Sequence, residues 1–234
     1  MKKMEKLNSF EQLVEYLQEN SDKTYDEFNN KIINTSLPTI GCKIPFLRRL
    51  SKFYTVDDVA AFPVNKYVET DLLKGIVISE SKLPFDVKSE LLTEFAYTIE
   101  NWAVCDCSTV KAVGRDREKY FDFFCKLALS DKTFVCRYGI VNLLSNYLDG
   151  RHISIIFETL KSVTLYGEYY VDMAVAWLVA TAMAKCRSET KEFMEGDARV
   201  VLTGFSYNKA LQKMRDSRRI SAEDKFWTYS LKII

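Results

Sequence analysis

Glycine and proline are scarce in this sequence, with 8 Gly and 4 Pro among 234 residues. A chain of many short strands and turns needs more of both, so the scarcity argues against an all-β fold. Because 47% of the residues are hydrophobic, the disordered, collagen-like and linker-rich classes are excluded as well. These observations predict an all-α globular protein.

Metal-ligand spacing and export signals are also lacking. The six cysteines contain no C-x-x-C pair and His152 is the only histidine, so we expect no metal site and no catalytic Cys–His pair. Cys105 and Cys107, which flank Asp106, are interpreted as buried, reduced thiols. The stretch from Met1 to Leu7 has no signal-peptide core, and no apolar run reaches membrane-spanning length. We therefore expect a cytoplasmic protein without membrane contact, and a monomer.

Apolar residues recur at the i, i+3, i+4 and i+7 spacing of amphipathic helices. Ser9 or Asn8 is a candidate N-cap for the first of these helices. Gly and Pro residues between the stripes leave helical segments of about 12 to 20 residues. The stripes are Phe10, Leu13, Val14 and Leu17; Leu91, Leu92, Phe95, Ile99 and Trp102; Ile140, Val141, Leu144 and Leu148; and Val171, Ala174, Val175 and Leu178.

Pairs of such segments recur every 35 to 40 residues or so, which is typical of HEAT-like or armadillo-like repeats. We predict an α-α superhelix, a HEAT-like repeat solenoid of antiparallel helix pairs. A single domain is expected over residues 1–234, since no Pro/Ser/Gly-rich linker interrupts the chain. A compact orthogonal helical bundle is the alternative architecture.

Five segments, taken in order, resemble bacterial DNA alkylation repair proteins of the AlkD type. These are HEAT-like-repeat DNA glycosylases that act on cationic alkylpurines. The resemblance covers most of the chain and implies a cofactor-free hydrolase that releases 3-methyladenine or 7-methylguanine from duplex DNA. The segments are Ile40–Arg49, Asn101–Asp106, Cys136–Val141, Tyr169–Trp177 and Tyr207–Lys213.

The resemblance also implies the roles of particular residues. Asp106 is expected to stabilise the positive charge that develops on the sugar and to orient a water, while Trp102 and Trp177 hold the cationic base by cation–π contact. Trp102 and Asp106 are four residues apart and share a face if their segment is helical. The resemblance implies a phosphate contact for Arg137. Phosphate contacts are also expected from Lys43, Arg48, Lys209 and Lys213, because they lie in basic clusters, although such charge runs on helices are usually solvated faces.

Each of these residues also has a purely structural interpretation. Both tryptophans continue apolar stripes and fit a helical core, and Asp106 could cap a helix that begins near Ser108. Arg137 could pair with an acid such as Asp131. The aromatic residues Phe121, Phe123, Phe124, Tyr169 and Tyr170 are interpreted as core or seam residues.

Three features support a second hypothesis, a catalytically silent HEAT-like-repeat paralogue that binds DNA weakly or docks a protein. The formal net charge is only +1, whereas proteins that contact the DNA backbone are usually more basic. Between Thr24 and Gly41 the sequence predicts one short helix, around Tyr25–Ile33, where active family members carry an additional basic helix. Ala103 stands where a carboxylate is common in the family.

Overall fold

The computed structural model describes residues 6–7, 9–111 and 113–231, and these residues form helices and no strand. Two 3-10 turns, Ser51–Phe53 and Gly114–Asp116, accompany the α-helices. The α-helices of the described residues are α1 (Phe10–Glu19), α2 (Lys23–Ile33), α3 (Ile44–Leu50), α4 (Val56–Ala60), α5 (Val68–Glu80), α6 (Phe85–Thr98), α7 (Trp102–Cys107), α8 (Arg117–Ala128), α9 (Thr133–Asn146), α10 (Ile153–Lys161), α11 (Tyr169–Met183), α12 (Arg187–Glu195), α13 (Ala198–Val201), α14 (Gly204–Asp216) and α15 (Ala222–Ser230).

The described residues form two compact units. Unit 1 contains α1 to α7 and ends before residue 112, and unit 2 contains α8 to α15 and begins at Val113. The single domain over residues 1–234 stays a prediction.

Unit 1 is built around α5, which packs against α3, α4, α6 and α7. Eleven of the 13 residues of α5 are buried, from Val68 to Ser79 with one gap at Lys74. A helix that is buried on nearly every side needs neighbours on every side. Its buried residues include the carboxylates Glu69 and Asp71, so the central position of α5 does not follow from its composition.

Unit 2 forms two helical layers. In one layer α9 packs against α11 and α11 against α14, and in the other α8 packs against α10 and α10 against α12. The first turns of α9, α11 and α14 are level, because ring centroids lie 5.1 Å apart for Phe134 and Tyr170 and 5.9 Å apart for Tyr169 and Phe205. Stacked helix pairs of this kind are typical of HEAT-like repeats and confirm the predicted fold class.

Several helix boundaries agree with the sequence and others correct it. Ser9 caps α1, where its side chain accepts a hydrogen bond from the Gln12 N–H, whereas Asn8 lies outside the described residues. The stripe through Ile99 and Trp102 does not form one helix, because α6 ends at Thr98 and α7 begins at Trp102. The longest described helix has 15 residues, so the predicted lengths of up to 20 were too long.

Candidate functional site

The short helix α7 carries both Trp102 and Asp106 on one partly exposed face. Its N-cap is Asn101, whose side-chain oxygen accepts a hydrogen bond from the Val104 N–H at 3.0 Å. Trp102 and Asp106 are half-buried, while the three residues from Ala103 to Cys105 are buried. The predicted shared face is therefore present. Asp106 lies inside α7, so its interpretation as the cap of a helix starting near Ser108 was wrong.

A hydrogen bond holds the Trp102 indole against the end of α2. Its Nε1–H donates to the carbonyl of Ile32 at 3.3 Å. Phe28 and Ile32, one turn apart on α2, both have exposed side chains. The surface next to this indole is therefore apolar, and the ring is restrained on one edge.

Arg48 anchors the other end of α7. Its Nη2 donates to the Cys107 carbonyl at 2.8 Å, and its Nη1 forms an ion pair with Glu80. Lys111 approaches the same carboxylate at 3.5 Å. Arg48 therefore satisfies a carbonyl at the C-terminal end of α7, where a positive charge is favourable. Its predicted phosphate contact stays a prediction.

The segment between α2 and α3 is fixed by a buried carboxylate that sequence reasoning missed. Glu69, on α5, is only 1% exposed and accepts backbone N–H bonds from Ile40 at 2.9 Å, Gly41 at 2.8 Å and Cys42 at 3.2 Å. Burial raises the pKa of Glu69, and the three N–H donors act against that rise. No local sequence signal singles out Glu69, because α5 also carries Asp71, Lys74 and Glu80.

Lys43 follows this segment directly. Its Nζ lies 2.7 Å from Asp22 and 5.6 Å from the centre of the Tyr25 ring. Hydrogen bonding to Asp22 raises the pKa of Lys43. The lysine is exposed and already accompanied by a carboxylate, so the local charge is balanced.

In unit 2, Trp177 lies on the one stripe of α11 that is not buried. Its side chain is 38% exposed, and Tyr170, Met173 and Thr181 continue the stripe at helical spacing. Arg137 is buried on α9, and its Nη1 donates to the Tyr170 carbonyl at 2.6 Å. Arg137 thus ties α9 to the first turn of α11.

Lys213, on α14, lies in a mixed charge environment. Burial lowers the pKa of Lys213, the positive charges of Lys209 and Arg137 add to this effect, and the negative charge of Asp216 opposes it. Like charges held together at a protein surface are unfavourable unless an anion compensates them, so such clusters often mark anion-binding sites. The expected phosphate contacts of Arg137, Lys209 and Lys213 stay predictions.

The thiols beside Asp106 are poor nucleophiles. Cys105 is buried and Cys107 is half-buried. Burial raises the pKa of Cys107, and the negative charge of Asp106 adds to the rise. A thiolate is the reactive form of cysteine, so a raised pKa argues against covalent chemistry at this position.

Comparison with known proteins gives one result. Residues 13–214 match the family described as DNA alkylation repair enzyme. No significant match to a curated protein or to a solved structure was found. Within the part of the chain that the structure describes, no helix has both the length and the apolar character needed to cross a membrane.

Proposed function

The chain belongs to the DNA alkylation repair enzyme family, and on this premise we propose that it is a DNA glycosylase. Its substrates are cationic alkylpurines, such as 3-methyladenine and 7-methylguanine, in double-stranded DNA. The reaction is hydrolysis of the N-glycosidic bond. One observation carries the proposal, the half-buried indole and carboxylate of Trp102 and Asp106 on a single face of α7.

Alkylation supplies much of the driving force for this reaction. An alkyl group on N3 of adenine or N7 of guanine makes the base cationic, so it leaves as a neutral molecule without a general acid. Positive charge then develops on the sugar. A carboxylate next to that sugar stabilises the charge and orients a water for attack, and this is the role of Asp106.

Aromatic and basic groups hold the substrate. Trp102 and Trp177 each offer an indole that is not fully buried, and an indole face attracts a cation by about 0.5–2 kcal/mol. Arg137, Lys209 and Lys213 supply the positive charge for phosphates, with Lys43 and Arg48 as further phosphate contacts.

Base release from methylated duplex DNA at low salt tests the proposal. Asp106→Asn removes the charge and keeps the shape, so we expect release to fall about 100- to 1,000-fold, as for loss of one electrostatic stabiliser. Asp131→Asn makes the same change at an exposed aspartate in the loop before α9 and is expected to leave release unchanged. Trp102→Leu removes the aromatic ring and should reduce release roughly 2- to 30-fold.

The alternative is a catalytically silent family member. Two observations favour it: residues 34–43 contain no helix after α2, and Lys43 and Arg48 are each paired with an acid. Absence of release by the wild-type protein, under conditions in which an active alkylpurine glycosylase works, would establish this alternative. Equal activity of the wild type and Asp106→Asn would instead reject the role of Asp106.

A further inference from the structure

Cations and aromatic rings alternate along one side of α14. The Nζ of Lys209 lies 5.8 Å from the centre of the Phe205 ring. On the other side of Phe205 lies Tyr169, and the two ring centroids are 5.9 Å apart. Toward the other end of α14, the Arg215 guanidinium lies 5.0 Å from the ring centre of Tyr229, on α15. We call these five residues the α14 track.

The rings of the track are exposed although they are large and apolar. Tyr169 is 57%, Phe205 42% and Tyr229 66% exposed. Tyr169 was predicted to be a core or seam residue, and its exposure shows that this interpretation was wrong. Neighbouring exposed rings are unusual on a surface that contacts only water, and they typically mark a binding surface.

A buried carboxylate fixes the end of the track where α11 and α14 begin. Asp172 is buried on α11 and accepts a hydrogen bond at 2.9 Å from the hydroxyl of Thr203, the N-cap residue of α14. The Ser206 hydroxyl adds a bond of 3.2 Å to the Asp172 carbonyl. These bonds lock the two first turns together, so Tyr169 and Phe205 hold their relative position without help from a ligand.

A shallow cleft of about 340 Å³ lies along α14, and three of the five track residues line it. Its walls combine one ring, two cationic side chains and two amide side chains, contributed by Phe205, Lys209, Arg215, Asn208 and Gln212 together with Gly204. A ring can stack on a nucleobase, amides can hydrogen-bond a base edge, and cations can contact phosphate. From Phe205 to Arg215 the helix rises about 15 Å, at about 1.5 Å per residue.

We propose that the α14 track binds single-stranded DNA. Bases stack on Tyr169, Phe205 and Tyr229, while Lys209 and Arg215 contact the phosphates. A single strand fits better than a duplex, because the base faces of a duplex are already stacked on one another and only unpaired bases can stack on protein rings. The proposed binding involves unmodified DNA and requires no base release. Its test is therefore independent of the test for glycosylase activity.

Fluorescence anisotropy of a short labelled oligothymidylate at low salt tests the track. Phe205→Leu keeps an apolar side chain and removes the ring, whereas Phe205→Tyr keeps the ring. We expect Phe205→Leu and Tyr229→Ala each to weaken binding roughly 5- to 150-fold, which corresponds to the loss of one base–ring stack. Phe205→Tyr should bind like the wild type. Tyr97→Ala, at an exposed tyrosine on α6 in unit 1, is the matched control and should also bind like the wild type.

Three further ligands, an abasic oligonucleotide, a blunt-ended DNA duplex and an oligoglutamate, separate base stacking from simple attraction between opposite charges. An abasic oligonucleotide has the same phosphates and no bases, so it should bind clearly more weakly than oligothymidylate. Phe205→Leu should bind a blunt-ended duplex nearly as well as the wild type does, because a duplex has no unpaired bases to stack on the ring. The proposal is overturned if oligothymidylate does not bind, if Phe205→Leu binds it as tightly as Phe205→Tyr, or if the abasic strand or an oligoglutamate competes equally well. Circular dichroism of each variant establishes that it is folded.

Discussion

Gly139 is the point of closest approach between α8 and α9. A Cβ atom built on this glycine would lie 2.3 Å from the backbone N of Ala128, 2.7 Å from the carbonyl oxygen of Phe124 and 2.8 Å from the Ala128 Cα. Ordinary contacts of a Cβ begin at 3.4 Å. All three neighbours are backbone atoms of α8, so no side chain can rotate away, and Gly139→Ala has to push the two helices apart by about 1 Å.

Two opposing effects decide the sign of this substitution. Alanine is favoured over glycine inside a helix by about 1 kcal/mol. Overpacking a well-packed core costs about 1–3 kcal/mol, and the upper end applies here because rigid backbone is displaced. We therefore expect Gly139→Ala to lower the free energy of unfolding by about 2 kcal/mol, which corresponds to a Tm lower by roughly 4–8 °C for a chain of this size.

Thermal and urea unfolding, followed by far-ultraviolet circular dichroism, measure this change in the free energy of unfolding. The control is Gly204→Ala at the first position of α14, where an added Cβ meets nothing within 4 Å. That variant should be as stable as the wild type or slightly more stable. A Gly139→Ala protein that unfolds at or above the wild-type temperature would refute the packing argument, because helix propensity would then outweigh the clash.

Two further predictions concern buried carboxylates. Burial raises the pKa of Asp71 from 3.8 to about 6, so its stabilising contribution is complete below about pH 4 and is lost as the pH rises through 6. Asp71→Asn should therefore gain roughly 2 kcal/mol relative to the wild type between pH 4 and pH 8, and urea titrations that show no such trend would contradict the assignment. Asp224 accepts bonds from Arg187 at 2.6 and 2.8 Å and pairs with Lys191 at 2.8 Å, which lowers its pKa. Because Arg187 is half exposed, Asp224→Asn should cost about 1–3 kcal/mol at neutral pH, and a urea midpoint equal to that of the wild type would argue against it.

Helix prediction succeeded where the apolar pattern is strong and failed at one break. The periodicity places α1 and α11 correctly, and the capping chemistry of Ser9 marks the start of α1. The same periodicity runs from Phe95 through Ile99 to Trp102, across the boundary between α6 and α7. Both helices bury their apolar residues in unit 1, so the pattern continues while the backbone becomes extended at Ile99 and Asn101.

Contacts between distant parts of the chain were not predictable in the same way. Glu69 binds the N–H groups of a segment 27 to 29 residues earlier, and no local pattern records such a pair. The exposure of Tyr169 was missed for a related reason. An aromatic residue at the start of an apolar helix fits a core, and only the position of α14 shows which side of α11 remains open.

The sequence by itself determined the helical fold class and the pairing of Trp102 with Asp106 on one face of α7, because both follow from spacing within a few residues. Only the tertiary structure decided how the basic residues are used. It commits Arg48 to the Cys107 carbonyl and Glu80, and it buries Arg137 against α11. The physical reason is that charge and hydrogen bonding act between atoms a few ångströms apart, whichever positions in the chain supply them.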